Sequence, residues 1–471
     1  MADRLKMLGN SVLLFERKPR LGGRIKSVAI GKEIVYDSGA LRISREHKKT
    51  LKMLVDLNLT GNLKPFNLTT SYHLGSARKS AQLDNPNASA IRTVLSKTRQ
   101  LPVAVKRVNT FESVGTLHCG YDTTQRAIIE SGYDADMTTL NFVDYLEDVD
   151  IYKKPFYRLR DGLTQIISRL AKRIGSDCIK VNAELKSIRH SHSKFEIRVN
   201  NMRYTCSKLV LAIPQESLLR IPFLHEHTTL FKSVSANNYM RVYAVYPVHQ
   251  GKTWFHDIER VVTALPIRQV IPIDKNRGLI QIAYCDSRFA TLLNNANING
   301  KLYTIIENSL RQIFPHKQIP PPSYIKAHYW SAGTHWWLPH VNSKTASRQI
   351  IQPDSTKALF VVGEAYSLHQ GWIEGALQTC DAVISKLEKK RNQLTTYITA
   401  KDVKKHNTRK DAWVIYNKNV YDITAWIPSH PGGPVIERGL GKDMTALFNS
   451  VGHSRESINV LGKYYIGKLP T

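Results

Sequence analysis

The sequence predicts a mixed α/β region built on an open sheet, followed by a small α+β region. Three observations carry this expectation. Up to about residue 390, strand-like runs (SVLLFE, FEIRVN, KLVLAI, RVYAVYP, GLIQIAY, ALFVVGE) alternate with helical patterns such as TLKMLVDLN and LTQIISRLAKRI. The stretch ISKLEKKRNQLTT is then polar, basic and helix-compatible, as a helix end with a linker at 391–396 would be. From residue 397 a second region follows, with two short strand signals and two helical ones.

Bulk properties narrow the class. At roughly 150 residues per domain, 471 residues make two to four domains. With 42% hydrophobic and 22% charged residues and no low-complexity tract, the chain is neither disordered nor fibrous. No apolar run approaches the ~18 residues of a membrane helix, and no basic-then-apolar signal opens the chain. A soluble, intracellular, cytoplasmic protein without a membrane anchor is expected. The five cysteines (Cys119, Cys178, Cys206, Cys285, Cys380) are odd in number and far apart, which reads as free thiols in a reducing compartment. A formal charge of +29 attracts anions, but the basic residues are spread along the chain with only short runs such as RKPR and SKLEKKR. No nucleic-acid-binding motif accompanies them, so a basic solvated surface is expected and no specific nucleic-acid partner.

Taken in order, the first element is SVLLFERKPRLGGR, a strand ending at Glu16 and Arg17, then the Gly22-Gly23 turn and Arg24. In dinucleotide folds an acidic strand end holds a ribose about 20 residues after a glycine-rich phosphate loop. Only fifteen residues precede Glu16 here, and none form GxGxxG. The paired glycines still let backbone approach a phosphate, and the arginine can neutralise it. YDSGALRIS supplies another glycine turn with Arg42. Farther on, ALFVVGEAYSLHQGWIEGALQTCDAVISKL reads as strand, loop and helix, with Gly363 and Glu364 closing the strand. Gly371 and Trp372 precede the helix, whose first amides could face an electron-rich ring carbonyl. HYWSAGTHWWLP is rich in rings, which most often means core.

The second region carries the sharpest signal. WVIYNKNVYDIT reads as two strands around an Asn-Lys-Asn turn, and HPGGPVIERGLGKDMTALFNSVGHS follows after a short spacer. His430 and His453 each stand at a segment edge, one before Pro431-Gly432-Gly433 and the other after Gly452. Two imidazoles on opposite faces of a porphyrin saturate its iron, which suits one-electron transfer. PVIERGL and DMTALFNSV, both helical in pattern, would wall the macrocycle.

From Tyr397 to Leu469 this stretch resembles the cytochrome b5 family, through AWVIYNKNVYDIT, HPGG and VGHS in order. The resemblance implies heme b with His430 and His453 as axial metal ligands. Residues 2 to 390 resemble the flavin-containing amine oxidase family. The pieces are Glu16…GGR, GALR, then RDGLTQIISRLA, AELKSI and KLVLAIP between Tyr157 and Pro214, and GEA…GWIEGAL. By resemblance, the fold is an FAD/NAD(P)-binding Rossmann-like amine oxidase fold lacking its first strand and glycine loop, followed by a small cytochrome b5-like domain. Cofactor-binding segments would be about 1–60, 155–230 and 345–390, and substrate-domain segments about 61–154 and 231–344. FAD would meet Glu16 at the ribose, with Arg17 a further cofactor contact, and Gly22, Gly23 and Arg24 at the pyrophosphate. Gly39, Ala40, Leu41 and Arg42 would line the ring, Leu185 the adenine, Gly363 and Glu364 the ribityl chain, and Gly371, Trp372, Ile373 and Glu374 the pyrimidine end.

The catalytic candidates implied are Arg42, Arg241, His335 and Trp372. GALR looks like the amino-acid-oxidase branch, where the arginine grips a substrate carboxylate. Arg241 stands where many relatives place a lysine near the reactive flavin nitrogen. His335 and Trp372 fall near an aromatic pair that guides a substrate amine. Ile271 stands where the amino-acid-oxidising branch has a tyrosine, which argues against a plain amino acid. The function implied is oxidation of a small-molecule amine or amino-acid-like substrate, with electrons passing to the heme and then to a redox partner protein. The alternative is a heme electron-transfer protein whose first region is a truncated, non-catalytic scaffold.

Overall fold

A computed structural model of the protein describes residues 1–66, 69–74, 89–149, 155–393, 397–453 and 455–470. Parts of the expected substrate segment 61–154, and residues 394–396 of the expected linker, lie outside the described residues. The helix Ile373–Gln393 occupies the linker's first positions.

The residues form two compact units: one is Met1–Phe15 with Ala171–Lys180 and Asp381–Thr471, the other Glu16–Leu170 with Val181–Cys380. This grouping differs from a division near residue 390, because the first residues are tied to distant ones. Within the smaller unit, Lys6 Nζ donates to the Ile174 carbonyl at 2.5 Å, Arg173 pairs with Asp3 at 2.9 Å, and Arg4 pairs with Asp381. Among the described residues, the strand Leu14–Phe15 pairs in parallel with Ile179–Lys180 and with no other strand.

The rest of the smaller unit is a four-stranded antiparallel sheet, Asn407–Thr408, Asp411–Tyr416, Asn419–Asp422 and Tyr465–Lys468. Asn417 and Lys418 make its hairpin turn at φ 49° and 63°, a conformation that asparagine tolerates well. Ala412, Val414, Ile423, Ile427, Leu440 and Met444 bury its core. PVIERGL, read as helical, is a 3₁₀ segment over Gly433–Gly439. Glycines at both ends and a proline at its start leave too little chain to nucleate an α-helix.

The larger unit is organised by a six-stranded sheet in the order Tyr324–Trp337, Val234–Val245, Leu279–Asp286, Gln269–Asp274, Arg260–Thr263, Thr70–His73. Every residue of Leu279–Asp286 is buried, so both faces of the sheet are covered. On one face, Met240, Val242, Ala244, Ile280 and Ile282 pack with Ala290 and Leu293 of the helix Ser287–Ile298 and Ile306 of Leu302–Ile313. The other face carries Tyr36, Tyr133, Tyr243, Ile271 and Tyr284. Strand alternation places Arg241, two residues from both Tyr239 and Tyr243, on that aromatic face.

Leu209–Leu211 pairs in parallel with Leu359–Val361 as a further two-stranded sheet. All five cysteines are free thiols. Among the described residues, no helix is long and apolar enough to cross a membrane.

Candidate functional site

In the smaller unit the site is a pair of imidazoles. The rings of His430 and His453 lie 6.4 Å apart, centre to centre, inclined by 41°. A metal–imidazole bond of about 2 Å puts each ring centre about 3 Å from the metal, so opposed ligands have centres about 6 Å apart. Each Nδ1 faces a backbone carbonyl, Gly433 O at 3.1 Å for His430 and Phe448 O at 2.9 Å for His453. A carbonyl only accepts, so both Nδ1 atoms carry the proton and both Nε2 lone pairs are left for a metal. Phe448 also stacks on His453 at 4.1 Å. A Cβ on Gly432 would lie 2.8 Å from the His430 ring, so the Pro-Gly-Gly turn makes room for the imidazole. Among the described residues, no three His, Cys, Asp or Glu gather to complete a metal site. A porphyrin would supply the remaining donors, and the exposed Val435, Leu447, Val451 and Ile458 offer apolar surface near the two histidines in sequence. The donor set fits heme b.

In the larger unit, Glu364 is the centre. It follows the strand Leu359–Val361 and is 6% exposed. Its Oε1 takes Arg24 Nη1 and, at 2.7 Å, His335 Nδ1; its Oε2 takes the Gly371 N–H at 2.8 Å. Burial pushes the Glu364 carboxyl up, but Arg24 and the His335 hydrogen bond beside it outweigh burial and hold the group down at about 2. His335 is fully buried and its Nε2 has no partner among the described residues. A buried polar atom left open beside this carboxylate is the fit expected where a polar cofactor is absent.

Glycines shape the surroundings. Gly39 passes so close to Arg24 that a Cβ would sit 1.9 Å from the Arg24 carbonyl, which accepts from Ala40 N at 3.0 Å. Gly22, Gly23, Gly363 and Gly371 all have positive φ. Leu41 is buried in the aromatic cluster, and Ile373 opens the helix that follows Trp372. Glu16 accepts from Ala183 N at 2.9 Å through its carbonyl, which brings the segment leading to Leu185 beside it, while Arg17 is exposed.

Three candidates sit differently from the sequence reading. The Glu374 carboxylate accepts from Lys49 N (3.0 Å), Thr50 N (2.8 Å) and Thr50 Oγ1 (2.8 Å), so it caps the helix Lys48–Asp56 and its oxygens are engaged there. His335 is held against Glu364, while the Trp372 ring packs on His47 at 4.8 Å and Phe156 at 5.9 Å. No ring contact joins His335 to Trp372 among the described residues.

Arg42 and Arg241 belong to one group. Arg42 Nη2 donates to Tyr133 Oη at 2.6 Å. The Tyr133 and Tyr284 rings meet edge to face at 5.5 Å. Arg241 is opposite Tyr284 in the sheet register, donates to its hydroxyl at 3.1 Å and lies 4.4 Å over its ring. Sequence reasoning missed Tyr133, Tyr284 and Arg260. An arginine inside the apolar runs RVVT and RVYAV is the one signal that pointed there.

Comparison with known proteins agrees with both family resemblances. Residues 1–126 and 129–383 match the flavin containing amine oxidoreductase family, and residues 399–470 match the cytochrome b5-like heme/steroid binding domain. Cytochrome b5 of Drosophila melanogaster is 45% identical over 76 residues, 16% of this chain and 57% of that protein. Cytochrome b5 of Candida tropicalis is 46% identical over 76 residues, 16% of this chain and 59% of that one. An acyl-lipid (8-3)-desaturase of Physcomitrium patens is 46% identical over 71 residues, 15% of each chain. The chain thus spans little more than half the length of these cytochromes. A solved cyclohexylamine oxidase from Brevibacterium oxydans IH-35A shares the fold at TM-score 0.65 and 16% identity, covering 82% of this chain and 96% of that one.

Proposed function

The chain belongs to the flavin containing amine oxidoreductase family and carries a cytochrome b5-like domain, and from that premise we propose that it oxidises a small-molecule amine with FAD and passes the electrons to a bis-histidine heme b. The opposed His430 and His453 rings, each with Nδ1 committed to a carbonyl, carry this reading. Bound flavin supplies acceptance of an electron pair, and six-coordinate heme supplies transfer of one electron at a time.

The chain's own residues then have defined tasks. Arg24, Glu364 and the Gly371 amide would hold the ribityl side of the cofactor, and His335 Nε2 would make its open hydrogen bond there. Gly39 to Arg42 and Trp372 would border the ring. Arg241 would orient water or substrate rather than act as a base, because a guanidinium keeps its proton. Arg42 would meet an amino-acid-like carboxylate. The acceptor beyond the heme would be a redox partner protein.

Purified full-length protein should show both flavin and heme absorbance, and anaerobic benzylamine should bleach the flavin and then reduce the heme. Flavin bleaching without heme reduction would sink the relay.

A further inference from the structure

From residue 397 to 471 the chain carries eleven Lys and Arg against six Asp and Glu, so the region around His430 and His453 is itself basic. Its cations gather where two segments meet. Lys404, Arg409 and Lys410 flank the strand Asn407–Thr408, while Arg438 and Lys442 lie on the segment joining His430 to His453. These segments are fastened together. Gly441 N donates to the Trp413 carbonyl at 2.8 Å, and Trp413 N to the His406 carbonyl at 2.9 Å. A Cβ on Gly441 would lie 2.8 Å from Asn407 Cβ and 3.4 Å from the Lys404 carbonyl, and Arg409 reaches Glu437 at 3.6 Å.

The carboxylates of both segments are already engaged. Asp402 pairs with Lys405 at 2.7 Å, Asp411 meets His406 Nδ1 at 2.7 Å, and Glu437 has Arg409. The Asp443 carboxylate accepts from Thr445 N at 2.9 Å. Lys404, Lys410, Arg438 and Lys442 are exposed and form no ion pair among the described residues. Like charges held side by side repel, and an anionic surface laid over them relieves that repulsion. The rest of the chain is a poor source of one, since residues 1–396 carry 56 Lys and Arg against 32 Asp and Glu. A second copy is equally basic.

We propose that Lys404, Lys410, Arg438 and Lys442 form a docking surface for an acidic redox protein, whose carboxylates meet the chain beside the heme region. This rests on the relay reading above and gives the chemistry of its partner. Anionic lipid and nucleic acid feel the same field, but neither carries a redox centre, and half of the patch belongs to the segment between the two proposed heme ligands. Electron-transfer encounters are small in area, so charge steers them more than apolar burial does.

The test titrates the full-length protein calorimetrically with an acidic plastocyanin and a basic cytochrome c, both one-electron carriers. At about 20 mM salt plastocyanin should bind at least ~10-fold tighter, and about 0.3 M salt should remove most of that advantage. Equal binding, or a preference for cytochrome c, overturns the proposal. Lys404→Glu combined with Lys442→Glu should weaken plastocyanin binding at least ~10-fold. Lys32→Glu combined with Lys301→Glu, an equal change of charge in the larger unit, should alter it less than ~2-fold. All four lysines are exposed, so folding is spared. Equal losses in the two double variants would trace the binding to net charge alone and also overturn the proposal. Phosphatidylserine vesicles and duplex DNA are titrated in parallel. Tighter binding of either than of plastocyanin, abolished by Lys404→Glu with Lys442→Glu, overturns the protein partner. Binding is read without turnover, so the two readings fail separately. Protein without heme absorbance that still prefers plastocyanin would sink the relay and leave the docking surface. Protein whose heme is reduced by benzylamine but which binds both carriers alike would do the reverse.

Discussion

Glu364 shows how one side chain can serve both folding and a site. Its carboxylate is buried yet held down at about 2, against an ordinary 4.5, because Arg24, His335 and the Gly371 amide outweigh desolvation. A depressed carboxyl stabilises the fold above its unfolded value and loses that contribution as pH falls through the folded one. Glu364→Gln should therefore destabilise the protein at pH 7 by on the order of 3 kcal/mol. The gap from wild type should close between about pH 4.5 and 2, as followed by urea unfolding; a gap independent of pH would refute the assignment. The proposed heme ligands make a different residue-scale prediction. If His430 and His453 hold the heme as proposed, His453→Ala should cost the visible spectrum its six-coordinate, low-spin form, and heme should transfer readily to apomyoglobin. An unchanged spectrum would mean that another residue ligates.

Elements explain what the sequence could and could not announce. The helix Lys48–Asp56 begins at His47 with no side-chain cap of its own, and Glu374, more than 320 residues away, supplies three bonds to its first turn. Glu374→Ala should cost about 1–3 kcal/mol and lower the thermal midpoint, since buried amides would lose a charged acceptor. A midpoint within error of wild type would show that the first turn finds other partners. The cap was invisible in the sequence because a capping residue is sought within a turn of its helix. Arg42 and Tyr133, 91 residues apart, and Arg241 and Tyr284, 43 apart, were hidden for the same reason. What could be read was local: the Asn-Lys hairpin, the strand and helix around Gly371, and the two histidines set beside glycine turns. PVIERGL shows the limit of periodicity, since its apolar spacing is helical while its glycines and proline permit only a 3₁₀ segment.

At the scale of the whole molecule, the larger unit stores several carboxyls that burial makes reluctant to ionise. Asp37 is pushed up to about 6, and Asp136, Asp148 and Asp286 to about 7, with desolvation the leading cause in each. The sign follows from proton counting. Between the unfolded value near 3.8 and these raised ones, the folded state binds more protons than the unfolded chain, so stability falls as pH rises through that window. Glu364 works oppositely, but only below about 4.5. A chain of formal charge +29 gains further positive charge as pH falls, and self-repulsion then opposes acid stabilisation. Salt screens that repulsion between exposed groups far better than it alters the buried carboxyls. Thermal unfolding of the larger unit, followed by tryptophan fluorescence at about 0.3 M salt, should therefore reach its highest midpoint on the acidic side of neutrality. Asp286→Asn should flatten the decline toward pH 8, because its carboxyl would no longer have to ionise beside Asp134. A wild-type midpoint that climbs steadily from pH 5 to 8 would contradict the buried-carboxyl account.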